Sequence, residues 1–112
     1  MKAGINKMFI LLRRKMKLGG IALFPFIIIN SEVNSERQLV LINHERIHIR
    51  QQLELLIVPF YVLYLLNYLV NRFRFDSHQE AYRNIIFERE AFKKEKDSVY
   101  LSERKMWNFL NY

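Results

Sequence analysis

His44, Glu45 and His48 carry the chemistry that this 112-residue chain displays most openly. They stand in the string His44-Glu45-Arg46-Ile47-His48, an HExxH pattern. On a helix, side chains at i and i+4 share one face, close enough to hold one metal ion between two imidazoles. A carboxylate beside them can take a proton from a water that such an ion activates. The chain has no cysteine, which excludes a disulfide framework, a thiolate metal site and a Cys nucleophile.

The position of the motif favours chemistry over a decorative helix face. At about 100° per residue, Asn43, Arg46, Arg50 and Glu54 gather on one side and read as the solvent face. His44 and His48 fall opposite, bracketed by Leu41 and Leu55, with Glu45 next to Ile49 and Leu56. Burying two imidazoles and a carboxylate costs several kcal/mol unless something pairs them, and an ion does.

A hydrolytic zinc site needs a third protein ligand and keeps one position open. His78 sits at the mouth of a helix. A metzincin would carry Gly and His where this chain has Gln51 and Glu54, so that class is excluded. Among Glu80, Glu88, Glu90 and Glu95, Glu90 shares a charged wheel face with Gln79, Arg83 and Lys94 and reads as solvated. Glu88 borders the apolar stripe of Ala81, Ile85 and Phe92 and is the preferred ligand, with Asn84 and Glu95 as neighbours able to steady the site. A solvated Glu88 paired with Lys or Arg is the alternative. Tyr82, Tyr100 and Arg104 are candidate donors to an oxyanion, and the sequence does not choose among them.

The elements that must position these residues are mainly helical. Three Gly and two Pro in a chain that is 51% hydrophobic and 26% charged favour long helices over a many-turned β-sandwich and exclude a disordered polar chain. Residues 5–16 read either as an amphipathic helix or as a strand over Lys7–Arg14. The run IALFPFIIIN predicts a strand over Gly20–Asn30, with Pro25 at an edge or bulge; it could hold an extended peptide by edge pairing or be an ordinary core strand. Ser35 and Gln38 form a capping box opening a helix to about Val58. A second helix starts at Pro59, and Ser77 with Glu80 opens a third to about Lys96. A short last helix starts near Ser102 and holds Met106, Trp107, Phe109 and Leu110.

From Leu55 to Asn71 no residue is charged. At ~1.5 Å per residue this segment spans about 26 Å, short of the ~30 Å hydrocarbon core. A straight helix through residues 36–73 would leave His48 about 38 Å from its far end and Glu88 out of reach. The chain must therefore reverse near Val58–Pro59, with antiparallel first and second helices and no single-pass span.

The strings HERIHIRQQLELL and FEREAF resemble those of gluzincin zinc peptidases, in particular the membrane-associated CAAX-prenyl-protease and antibiotic-sensor type, and small bacterial relatives of them over roughly residues 18–112. The resemblance implies a minimal zincin-like helical domain, an α+β chain with little β, in which the HExxH helix packs on a Glu-bearing helix. It implies zinc held by His44, His48 and Glu88, with Glu45 as the general base of peptide-bond hydrolysis. Where the larger families carry Asp after the Ala of the third-ligand motif, this chain has Phe92.

Six of the formal +7 charges (Lys2, Lys7, Arg13, Arg14, Lys15, Lys17) fall in residues 1–20, which hold no acid. This divides the chain into a basic segment, 1–18, and a metal-binding domain, 19–112. The expected partners are a peptide or protein substrate and an anionic membrane surface. Nucleic acid ranks last, because the basic segment has one aromatic residue and no reading motif. The stretch Met8–Leu12 is shorter than the ~7–15 residues of a signal h-region, so the expected location is cytoplasmic or peripheral on the inner membrane face, without a cleavable signal. A catalytically idle zinc module binding a membrane or protein is the alternative function.

Overall fold

The computed structural model describes residues 9–112. Of the basic segment, Lys2 and Lys7 lie outside the described residues. The chain is mainly α-helical with one small sheet, as its composition predicts. The sheet comprises β1 (Ile10–Arg14), β2 (Gly20–Leu23) and β3 (Phe26–Asn30) in the order β1-β3-β2. β1 runs parallel to β3, with Ile10 opposite Phe26, and β2 runs antiparallel, with Gly20 opposite Ile29. The strand reading of the basic segment therefore holds over Ile10–Arg14 and the helix reading does not. The expected single strand over Gly20–Asn30 is instead a hairpin. Pro25, which has no N–H for a ladder, sits in the turn between β2 and β3 after a cis bond from Phe24.

The buried face of this sheet, Ala22, Ile27 and Ile29, packs on Leu41 and Ile49 of α1 (Ser35–Glu54). α1 begins one residue earlier than the capping box implied. Asn34 is the N-cap, its side chain accepting from the Arg37 N–H at 2.8 Å, while the Gln38 amide reaches back to the Val33 carbonyl. α1 also ends earlier, at Glu54. Leu56 and Ile57 both take positive φ, and the Val58 N–H closes a γ-turn onto the Leu56 carbonyl at 2.7 Å. Pro59 lies in the first turn of α2 (Val58–Arg74), where its missing N–H costs nothing. The axis turns by 113° between the two helices. This is a sharp bend at Leu55–Ile57 and not the antiparallel pair expected. Among the described residues no single helix is long and apolar enough to cross a membrane.

The expected third helix is broken in two. Ser77 does cap α3 (His78–Arg83), its hydroxyl accepting from the Glu80 N–H and donating to the Glu80 carboxylate. Asn84 then closes it, donating to the Glu80 carbonyl at 2.8 Å. Ile85 is extended, and α4 (Ile86–Lys94) starts afresh with the Ile86 N–H bonded to the Asn67 side chain of α2. The last helix, α5 (Tyr100–Glu103), precedes the predicted one, and a 3-10 turn at Asn108–Asn111 seats Phe109 against Phe60, Ile85 and Phe87. A third apolar cluster, Ile47, Ala91, Tyr100 and Leu101, locks α4 and α5 onto α1. The HExxH helix thus packs on the Glu-bearing helix, as predicted.

Candidate metal centre

Residues 41–45 and 47–49 of α1 are buried except for the half-buried Ile42, because the sheet covers one side of the helix and the α4–α5 segment the other. This corrects the expected solvent face. Asn43 is buried, donating to the carbonyls of Glu95 and Asp97 at 2.8 and 3.0 Å, and Glu54 pairs with Arg104 at 2.6 Å. Between the covering layers, His44, His48 and Glu88 bring one ligand atom each to within 4.8 Å of one another. The Glu88 Oε1 lies 3.1 Å from His44 Nε2 and 3.0 Å from His48 Nε2.

The outer nitrogens of both rings are already engaged, and this fixes what the inner ones can be. His48 Nδ1 lies 2.8 Å from Gln51 Oε1, while the Gln51 amide donates to the Phe87 carbonyl and to Glu90. His44 Nδ1 lies 2.7 Å from the Glu95 carboxylate. Both partners are acceptors, so Nδ1 carries the proton in each ring and a neutral ring presents its Nε2 lone pair inward. Two lone pairs then face one carboxylate oxygen. Such a cluster is stable only with protons on both imidazoles or with a cation among the three groups.

The titration behaviour follows from this geometry. Burial alone would lower His44, but its bonds to Glu88 and Glu95 outweigh burial and raise it to about 9. His48 is raised against its own burial by the Glu88 charge and hydrogen bond. Burial works upward on Glu88 too, and the two imidazoles nonetheless hold it well below the usual carboxylate range. Glu45 differs: burial pushes it up, with the nearby imidazoles pulling the other way.

A cleft of about 580 Å³ opens onto the cluster. It is lined by β2 with Leu18 and Gly19, by Phe60, Tyr61 and Tyr64 of α2, and by Tyr82. Glu45 lines it beside Gly20, where an added Cβ would meet its Oε2 at 3.3 Å and the Ile28 carbonyl at 3.2 Å. Glycine permits that close approach. Tyr64 donates to Glu88 Oε2 at 2.5 Å, and burial together with the Glu88 charge pushes both the Tyr64 and the Tyr82 hydroxyl upward, so both remain donors.

The structure therefore brings Glu45, His44, His48 and Glu88 together, puts Glu95 on His44 and leaves Tyr82 in the cleft wall. Three other candidates lie elsewhere. Asn84 spends its amide capping α3. Tyr100 and Arg104 both turn to Glu90, the hydroxyl at 2.5 Å and the guanidinium through two bonds, and neither lines the cleft. Glu90 itself, expected in solvent, is fully buried. The break at Asn84–Ile85 re-phases the helix, so a wheel drawn from Gln79 does not reach Glu90. Gln51 and Tyr64 were not foreseen. Gln51 stands one turn after His48, a spacing that puts its amide within reach of the ring, whereas nothing local marks Tyr64 beyond its place on the inward face of α2. Phe92 packs edge-on against His44 with 4.6 Å between ring centroids, and the carboxylate on the His44 ring comes from Glu95, three residues on. No protein-family model, curated protein or solved structure matches the chain.

Proposed function

We propose that the chain is a zinc-dependent metallopeptidase of the gluzincin kind. The observation that carries this reading is the convergence of two Nε2 lone pairs and one carboxylate oxygen on a single buried point at the end of an open cleft. Two neutral imidazoles and a carboxylate are the donor set that zinc takes in hydrolytic sites, and zinc bound there supplies a Lewis acid that polarises a carbonyl and acidifies water. Gln51 and Glu95 hold the imidazoles in the tautomer that binding requires. Glu45, pushed up by burial against the pull of the two imidazoles, accepts a proton at its cleft-facing oxygens and returns it to a leaving amine. The Tyr82 hydroxyl in the cleft wall is the donor placed to steady negative charge on a substrate oxygen, since Tyr64 spends its one proton on Glu88. β2 is the sheet edge and a cleft wall at once, which suits an extended peptide, although Gln52 already occupies the Ala22 carbonyl.

The test is metal content after dialysis, read together with peptide cleavage by mass spectrometry. Wild type should hold one zinc per chain, Glu88→Ala should lose most of it, and His44→Ala/His48→Ala should lose it all. Glu45→Gln should keep its zinc and lose cleavage. Full zinc occupancy in the double histidine variant would sink the metal site. Zinc-loaded wild type that cleaves no peptide in a diverse mixture would leave the idle zinc module as the function.

A further inference from the structure

α2 turns one face to the cleft and, among the described residues, the other to nothing. Eight apolar residues of this 17-residue helix are exposed, from Val58 to Phe73, the last of them 93% exposed. At about 100° per residue, Val58, Val62, Leu65, Leu66, Leu69 and Phe73 fall in an arc of about 100°, which Leu63 and Val70 widen to about 160°. A face of this size is costly in water and marks a docking surface. The two cations of the helix, Arg72 and Arg74, fall about 20° beyond its two edges.

We propose that this face docks on an anionic lipid surface, with α2 lying in the plane of the headgroups. The arrangement has the form of an interfacial helix: an apolar stripe that sinks among acyl chains, with guanidinium groups at both margins to meet phosphates. Charge complementarity separates this occupant from a second copy of the chain. No acidic residue occurs from Leu55 to Phe75. Pairing α2 with itself, in either direction, would give Arg72 and Arg74 no carboxylate on the facing helix, and a parallel pair would bring four arginines together. An anionic bilayer supplies phosphate all along both margins and also suits the net charge of +7. The opposite arc of α2 is already taken by the protein, with Phe60 buried and Tyr64 on Glu88, so docking requires no unfolding.

Sedimentation of the full chain with vesicles tests this, using phosphatidylcholine alone and an equimolar mixture with phosphatidylglycerol. Wild type should bind the mixed vesicles, and Leu66→Glu/Phe73→Glu should weaken that binding by more than about tenfold. Both substituted side chains are exposed, and unchanged circular dichroism and melting temperature verify the fold. Arg72→Gln/Arg74→Gln should weaken binding to the mixed vesicles several-fold and leave any binding to neutral vesicles unaltered. The six cations of residues 1–20 are intact in both variants. Undiminished binding by Leu66→Glu/Phe73→Glu would therefore assign the attachment to that segment and overturn the proposal. A wild type that binds no vesicles would overturn it too, as would a wild-type dimer that the leucine–phenylalanine variant splits while vesicle binding stays the same.

Discussion

Glu88 and Glu90 stand two residues apart on α4, both buried against α1 and both held below the ordinary carboxylate range despite burial. Their partners differ in one decisive respect. Glu90 receives the Arg104 guanidinium, the Tyr100 hydroxyl and the Gln51 amide, all donors, and Arg104 is a permanent cation that also binds Glu54. Glu88 receives one hydroxyl and two imidazoles, whose charge depends on what they bind. The first cluster carries its own counter-ion and is complete. The second is complete only with protons or a metal. A buried carboxylate is thus a sign of function when its cation is exchangeable and a sign of architecture when it is not. Gln51 joins the two clusters, one end on the His48 ring and the other on Glu90.

The comparison breaks most forcefully at Arg104. Arg104→Ala leaves Glu90 buried without a counter-ion, and the expected loss is about 3–5 kcal/mol of folding stability. Denaturant unfolding would show it as a lower midpoint with the slope unchanged. Replacing the ion pair as a whole, Arg104→Met with Glu90→Leu, should recover most of the loss, since no charge is then stranded. If Arg104→Ala proved neutral, Glu90 would not be the closed structural counterpart of Glu88.

A smaller effect is expected at the joint. Gln51→Ala removes the acceptor that holds the Nδ1 proton on His48, so the ring loses its fixed tautomer. Zinc affinity should fall by about 10–100-fold, the usual effect of losing such an outer partner. Glu95→Ala should act similarly through His44. Competition titration with a chromophoric chelator measures both. Asn84→Ala provides the contrast: its amide serves only the end of α3, so affinity should be unchanged.

What the sequence disclosed about these two clusters follows from the range of each signal. The HExxH string and the cap at Ser77 are local signals within one or two turns of a helix, and they hold in the structure; Glu88 joins His44 and His48 although the stripe through Ala81 and Ile85 that singles it out crosses the break between α3 and α4. Glu90 was misplaced because its partner Arg104 and the re-phasing at Asn84–Ile85 are both tertiary: the break depends on Asn67 of α2 capturing the Ile86 N–H. Asn43 looked solvent-facing for the same reason, since the carbonyls it binds belong to Glu95 and Asp97, more than fifty residues away. The need to bring Glu88 to His48 implies an antiparallel reversal near Val58–Pro59, whereas the chain bends by 113° just before it, at Leu55–Ile57. Positive φ at Leu56 and Ile57 is disfavoured for both residue types and no glycine advertises it. Pro59, which did advertise a boundary, marks the start of the next helix.

Acidity gives the finest discrimination between the two carboxylates. In the metal-free chain the folded value of His44, about 9, lies above its ordinary 6.5. A group raised in this way contributes stability that is fully present below pH 6.5 and is lost as pH climbs through about 9. Glu88, held low, contributes stability present above its ordinary 4.5 and lost as pH falls. Metal-free protein should therefore be most stable between these limits and should weaken from pH 6.5 to 9, by at most about 1.4 kcal/mol per pH unit for each imidazole that loses its proton. Bound zinc must displace the same protons. Its stabilisation should grow over the window in which the metal-free chain weakens, and the gap between the two melting temperatures should widen with pH. The Glu90 cluster adds nothing to this window, because Arg104 is raised above its ordinary value by Glu90 and Glu54 against burial and stays charged throughout. Melting curves in chelator and in zinc across that range decide it. A metal-free melting temperature that rises with pH would show that Glu88 is not balanced by protonated imidazoles, and the contrast with Glu90 would fail.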